Sequence, residues 1–277
     1  MERPITINLG ERTVHGMASL EDKLYLLSDS VSILRAENPH DCFGKIDTPE
    51  IKSPISIVSC NKTSRLYIYD KGNACIWKVS VPDNRVTRWC NKVKEPCAMS
   101  VTHNGEVLMT AQSEDTNHPV TVEIYNQNAI LTECVELPKD IQSLQYIYKI
   151  ASGDYVGLGE QKLYKFRADG SIVCQRDIPK CQESGNCVRR LEVSPYHIFL
   201  ISTSDSLFCR GSKVSQISFD LAVESDVLKG SNDKCSFFGL CYVKDTKTLA
   251  ALELEQLQVK KGATPERKGL LTVYAVL

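Results

Sequence analysis

A β-propeller of six blades is the fold that three features of this 277-residue sequence predict. A β-rich run recurs six times at near-constant spacing. Each copy follows a turn and is flanked by further short apolar runs. Helical periodicity is almost absent.

The recurring run reads DKLYLLS around Leu24, SRLYIYD around Leu66, GEVLMTA around Val107, GDYVGLG around Tyr155, YHIFLIS around Ile198 and KTLAALE around Leu249. The anchors lie 41 to 51 residues apart. Turn chemistry precedes each one: LED, NKTS, HNG, ASG, SP and KDT. Upstream of each turn lies another apolar run, such as VHGMASL or PISIVSC. Downstream lie a third and usually a fourth, clearest in ACIWKVS and RVTRWC, joined by VPDN. Four short antiparallel strands per repeat of roughly 45 residues are the signature of a propeller blade. A single blade cannot cover its own faces, so neighbours must stack on it.

The expected units are 13–53, 54–95, 96–141, 142–186, 187–233 and 234–277, in a single domain spanning 1–277. The sixth unit ends at LLTVYAVL, its third strand, while a spare strand, PITINLG, sits at the N-terminus. Residues 4–9 are therefore expected to complete the last blade and protect two open edges. One stretch, Phe219–Gly230, carries apolar residues at near-helical spacing and is expected to form a short helical turn.

Composition narrows the function. The chain is 42% hydrophobic and 24% charged with a net charge of −1, so no global field favours nucleic acid or anionic lipid. No apolar run is long enough to cross a membrane as a helix, and the N-terminus has no apolar core of leader length. These features predict a cytoplasmic chain without membrane contact, a monomer or the propeller domain of a larger protein. Most of the 12 cysteines sit inside apolar runs, including Cys60, Cys75, Cys97, Cys134, Cys174, Cys209 and Cys241, and read as reduced, buried thiols. Cys181 and Cys187 could bridge sterically, but free thiols are the preferred reading in this compartment.

The segment LYIYDKGNACIWKV resembles the NHL repeat, the blade motif of TRIM-NHL propellers and their relatives. An aliphatic-aromatic strand runs into Asp70, then Gly72 and Asn73, then a strand centred on Ile76. Asp and Asn side chains there would hydrogen-bond the turn backbone, and Gly would supply an unusual φ. Only the second unit carries all of these letters, and Ala74-Cys75 replaces the family's frequent arginine. The resemblance implies a non-catalytic protein-interaction scaffold with a protein partner. RNA is the alternative, since some NHL propellers bind it. No RING finger, B-box or coiled coil accompanies the repeats, so ligase activity is not implied.

Motifs for chemistry are scarce. The five histidines show no metal-ligand spacing, the cysteines lack short metal-binding pairs, and neither a nucleophile elbow nor a phosphate loop is present. Catalytic residues, metal ligands and cofactors are accordingly expected to be none. Six-bladed rings also include calcium-dependent lactonases and esterases. Asp29, Asp70, Glu160 and Asp205, each just after a second strand, form a candidate carboxylate set for that alternative. Acidic residues at such positions are ordinary turn formers too. Loops on that side hold nearly balanced charge, except Gln256–Gly269 with Lys260, Lys261, Arg267 and Lys268. The binding candidates are therefore Asp29, Asp70, Lys71, Asn73, Glu160, Asp205, Lys260, Lys261, Arg267 and Lys268, with the loops Ser113–Pro119 and NKVKEP beside them.

Overall fold

The computed structural model describes residues 5–10, 14–28, 32–36, 44–91, 98–111, 119–178, 190–194, 196–202, 213–229, 235–243, 248–256 and 267–275. Among these, 24 strands form six antiparallel sheets of four. The chain divides into two compact units. One holds Met1–Asp29, Leu34–Lys45 and Pro179–Leu277; the other holds Ser30–Ile33 and Ile46–Ile178.

In the second unit, β6 (Pro54–Cys60), β7 (Arg65–Asp70), β8 (Cys75–Ser80) and β9 (Arg85–Asn91) form a meander in chain order. The next sheet is β10 (Met99–Val101), β11 (Val107–Ala111), β12 (Thr121–Tyr125) and β13 (Leu131–Glu136). The last is β14 (Tyr146–Lys149), β15 (Tyr155–Leu158), β16 (Lys162–Phe166) and β17 (Ile172–Asp177). The second strand β7 is apolar on both faces, and both faces are covered. Leu66, Tyr67, Ile68, Tyr69 and Asp70 are all buried. Between the first two sheets, Trp89 meets Tyr67 edge-on at 4.9 Å and donates Nε1–H to the Gln127 carbonyl at 2.9 Å. Such aromatic pairs contribute about 0.5–1.5 kcal/mol beyond area burial. Between the next two, Lys149 pairs with Glu133 at 3.2 Å and caps the Tyr155 ring.

β2 (Val14–Leu20), β3 (Lys23–Ser28), β4 (Ser32–Ala36) and β5 (Gly44–Asp47) form one sheet, which belongs to the other unit except for Ser32–Ile33 and Ile46–Asp47. A second sheet is β18 (Arg190–Val193), β19 (Ile198–Ser202), β20 (Lys213–Ile217) and β21 (Val223–Lys229). In the third, β1 (Ile5–Gly10) lies beside β24 (Arg267–Ala275), followed by β23 (Thr248–Gln256) and β22 (Cys235–Val243). Ile5 stands opposite Val273 and Ile7 opposite Leu271. Leu9, Val14, Leu26, Cys241, Ala250 and Leu252 share one apolar core there.

One turn recurs through the molecule. In 102–106, 126–130, 150–154, 167–171 and 218–222, the first and fifth residues share a backbone bond and the fourth N–H returns to the first carbonyl. The fourth residue is left-handed each time: Gly105, Ala129, Gly153, Gly170 and Leu221. This is the type I turn with a following bulge, which closes hairpins of right-handed twist. Side chains of Thr102, Asn126 and Asp169 accept the turn amides.

Three expectations are corrected. Phe219–Gly230 is no helical turn: 218–222 is the hairpin turn and Val223–Lys229 is β21. Register shifts in the β20–β21 ladder displace the strict two-residue alternation, so the segment mimics helical spacing. Arg267 and Lys268 are not loop residues. They open β24, opposite Gln256 and Glu255, so a deletion reaching them would cut a sheet ladder. Cys134 is exposed on the outer strand β13, although Cys60, Cys75 and Cys241 are buried free thiols as expected.

Candidate functional site

The best-defined polar constellation in the second unit surrounds Asp70, at the end of β7. The side chain is fully buried and accepts five hydrogen bonds. Oδ1 takes the amides of Ser53 at 2.8 Å and Gly72 at 3.1 Å. Oδ2 takes the Lys52 amide at 3.0 Å, Asn73 Nδ2 at 2.6 Å and the Trp77 indole at 3.0 Å. Asn73 Nδ2 also reaches the Glu50 carbonyl at 2.9 Å, and the Lys71 amide bonds the Ser53 carbonyl. The carboxylate thus clamps the 50–53 connection onto the 3-10 turn Lys71–Asn73. Burial by itself would raise the Asp70 pKa. The Lys52 and Ser53 amides, with Trp77 and Asn73, outweigh it and hold the group below the usual carboxylate value.

This chemistry opposes cation binding, because five N–H dipoles already point at the two oxygens. Asp70 is a structural acceptor here, and Asn73 is tied into the same clamp. Among the described residues no group of three His, Cys, Asp or Glu side chains is placed to hold a metal.

Gly72 has a different role from the expected one. Its φ is not in the left-handed region; Ala74 carries that conformation, at φ 46°. A Cβ on Gly72 would lie 2.9 Å from the Lys52 Cβ, so glycine is needed there for close approach of the two loops. Replacing Ala74 by Gly relieves left-handed strain of about 1–2 kcal/mol, partly offset by glycine's greater unfolded-state entropy. We expect Ala74→Gly to gain about 0.5–1 kcal/mol in urea unfolding; a loss would show that the Ala74 methyl contributes packing.

Of the other candidates, Lys71 is exposed on the clamped turn, and Glu160 is exposed between β15 and β16. Asp29, Asp205, Lys260 and Lys261 lie outside the described residues, as do residues 92–97 and 112–118 of the two flanking loops and Cys181 and Cys187. Arg267 and Lys268 belong to the other unit. Neither the connection through Lys52 and Ser53 nor the role of Trp77 was singled out from the sequence. The available signal was an Asp ending an otherwise apolar strand seven residues before a Trp.

The clamp holds a small platform open to solvent. Glu50, Lys52, Ser53, Lys71 and Ala74 are exposed, and the nearby Ile55 is 44% exposed at a bulge in β6. Ile55 lies two residues beyond Ser53, whose carbonyl bonds the Lys71 amide, so an exposed apolar residue and two exposed lysines sit on or next to the connections that the clamp fixes.

Set against solved structures, the chain is an all-β propeller. It is similar to hydrazine synthase of Kuenenia stuttgartiensis, with TM-score 0.61 and 11% identity over 87% of this chain and 76% of that one. It is also similar to YCF48 bound to D1 peptide, with TM-score 0.55 and 10% identity over 96% and 79% of the two chains. A third likeness is to a chain of the nidogen/laminin complex, with TM-score 0.57 and 14% identity over 79% and 80%. No protein family and no curated protein sequence matches the chain.

Proposed function

We propose that the chain is a non-catalytic protein-interaction module of NHL-propeller type, working in the cytoplasm. Its six sheets are the six blades of one ring, and β1 completes the last of them. Its partner is a peptide segment with an apolar residue beside acidic ones, held on the platform around Ile55, Lys52 and Lys71. The observation that carries this reading is the Asp70 clamp. It fixes two connections that would otherwise cost entropy to order on binding. Two of the propellers named above, YCF48 with its D1 peptide and the nidogen/laminin pair, are themselves seen in complexes, which supports the same general use.

The test is selection of peptides from a random library on the immobilised protein, followed by fluorescence polarisation. Enriched peptides should carry an apolar residue beside Asp or Glu. Their affinity should fall at least tenfold for a doubly substituted Ile55→Asp, Lys71→Glu protein. Both positions are exposed, so the fold should persist by circular dichroism. Unchanged affinity in that variant would remove the platform from the binding site.

A further inference from the structure

At the opposite end of the β6–β9 sheet lies a cluster that the platform does not involve. We propose that Arg65, Lys78 and Arg85 form a binding site for a dianionic oxyanion of the phosphate class. The inference is independent of the partner reading above, because it concerns different residues at the other end of the strands.

The ladder places the three on one face. Arg65 stands opposite Ser80, and Ser80 opposite Arg85. Lys78 lies two residues along β8, opposite Tyr67 on one side and Thr87 on the other. With strands about 4.8 Å apart, the two arginine Cα atoms are about 10 Å from each other, with β8 between them. Side chains of this length can converge on one small ion, and a guanidinium fork suits an oxyanion. Arg65 and Lys78 are half-buried and Arg85 is exposed, so the cluster opens to solvent on one side.

Counter-charge is short. Among the described residues, no carboxylate makes an ion pair with any of the three. The fully exposed Asp83 is held by the Ser80 side chain and the Arg85 amide and offsets a single charge near Arg85. From the neighbouring sheet, Glu123 is bonded by the Tyr125 hydroxyl at 2.6 Å and lies beside Cys90, towards the other end of β9. Two positive charges therefore remain uncompensated. Burial, then Arg65 and Arg85, lower the Lys78 pKa, in keeping with like charges gathered in one place. Beside Arg65, the Tyr67 hydroxyl is buried on the same face. A dianion matches the excess of two; a single carboxylate or chloride does not.

The experiment is a titration of the full chain with inorganic phosphate at constant ionic strength, balanced with sodium chloride. Melting temperature and tryptophan fluorescence are the readouts, since Trp89 packs on Tyr67 of the same face. Saturable stabilisation is expected, with apparent affinity lowered at least tenfold in Arg85→Gln and in Lys78→Gln. Arg85 is exposed, so its variant stays interpretable if the Lys78 variant fails to fold. A parallel titration uses a phosphoserine peptide. Tighter binding than inorganic phosphate means the group is carried on a protein; equal or weaker binding means the free ion is the ligand. Equal stabilisation by sodium chloride alone would reduce the effect to screening and overturn the site. So would undiminished phosphate binding in Arg85→Gln. Binding of oligouridylate with no response to phosphate would also overturn it, in favour of a polynucleotide surface.

Discussion

Asp70→Ala should destabilise the protein by about 3–5 kcal/mol at neutral pH, the range for removing one side of a buried charged network. Five donors lose their acceptor in one step: three backbone amides, the Asn73 amide and the Trp77 indole. Asp70→Asn should be nearly as damaging. In either orientation its NH2 group faces two or three donors in place of an oxygen. Urea unfolding measures both, and a loss under about 1 kcal/mol would mean that water replaces the carboxylate at little cost. The pH dependence has a definite sign. The folded pKa is lowered, so this contribution is fully present above the unfolded-state value of about 3.9. It is lost as pH falls through that value towards the folded pKa, because the unfolded chain takes up the proton first. The stability gap between the native protein and Asp70→Asn should therefore be constant near neutrality and shrink below about pH 4.

Gly170→Ala should cost about 3 kcal/mol or more, against about 1 kcal/mol for Gly153→Ala. Both glycines occupy the left-handed position of the same turn, at φ 82° and 89°. Around Gly153 a Cβ meets nothing within 4 Å, so only the conformational penalty applies. At Gly170 a Cβ would stand 2.2 Å from the Glu136 carbonyl oxygen, so backbone of the adjoining sheet must move. Ala129 fills the corresponding position one sheet earlier, which shows that the turn itself accepts a methyl group. Comparing the two variants by urea unfolding separates the steric part from the conformational part. Equal losses would mean that the contact with Glu136 yields freely.

Much of the strand order was legible because it depends on local chemistry. Each second strand carries an apolar run of three or more residues, such as Leu24–Leu27, Leu66–Tyr69 and Leu249–Leu252, and hairpin turns such as 102–106, 126–130 and 167–171 carry Thr, Asn, Asp or Gly where the turn needs an acceptor or a left-handed residue. The bulged ladder of β21 was misread because periodicity reports an even pleat, and a bulge shifts the alternation by one residue. Asp70 was legible as a turn former, which it is through Gly72. Its larger role was hidden, since Lys52 and Ser53 lie almost twenty residues upstream and contribute backbone amides that carry no sequence signature. Arg65, Lys78 and Arg85 were passed over for a similar reason. They are dispersed along three strands and meet only through register.

By itself, then, the sequence determined the repeating unit: four short strands, their turns and the apolar faces that must be covered. Those follow from side-chain volume, backbone freedom and short-range hydrogen bonding. Tertiary structure decided which loop Asp70 clamps, which glycine has a carbonyl against it and which cations share a face. Each of these depends on the alignment of segments distant in the chain, and a shift of one residue in that alignment would exchange the two faces of a strand.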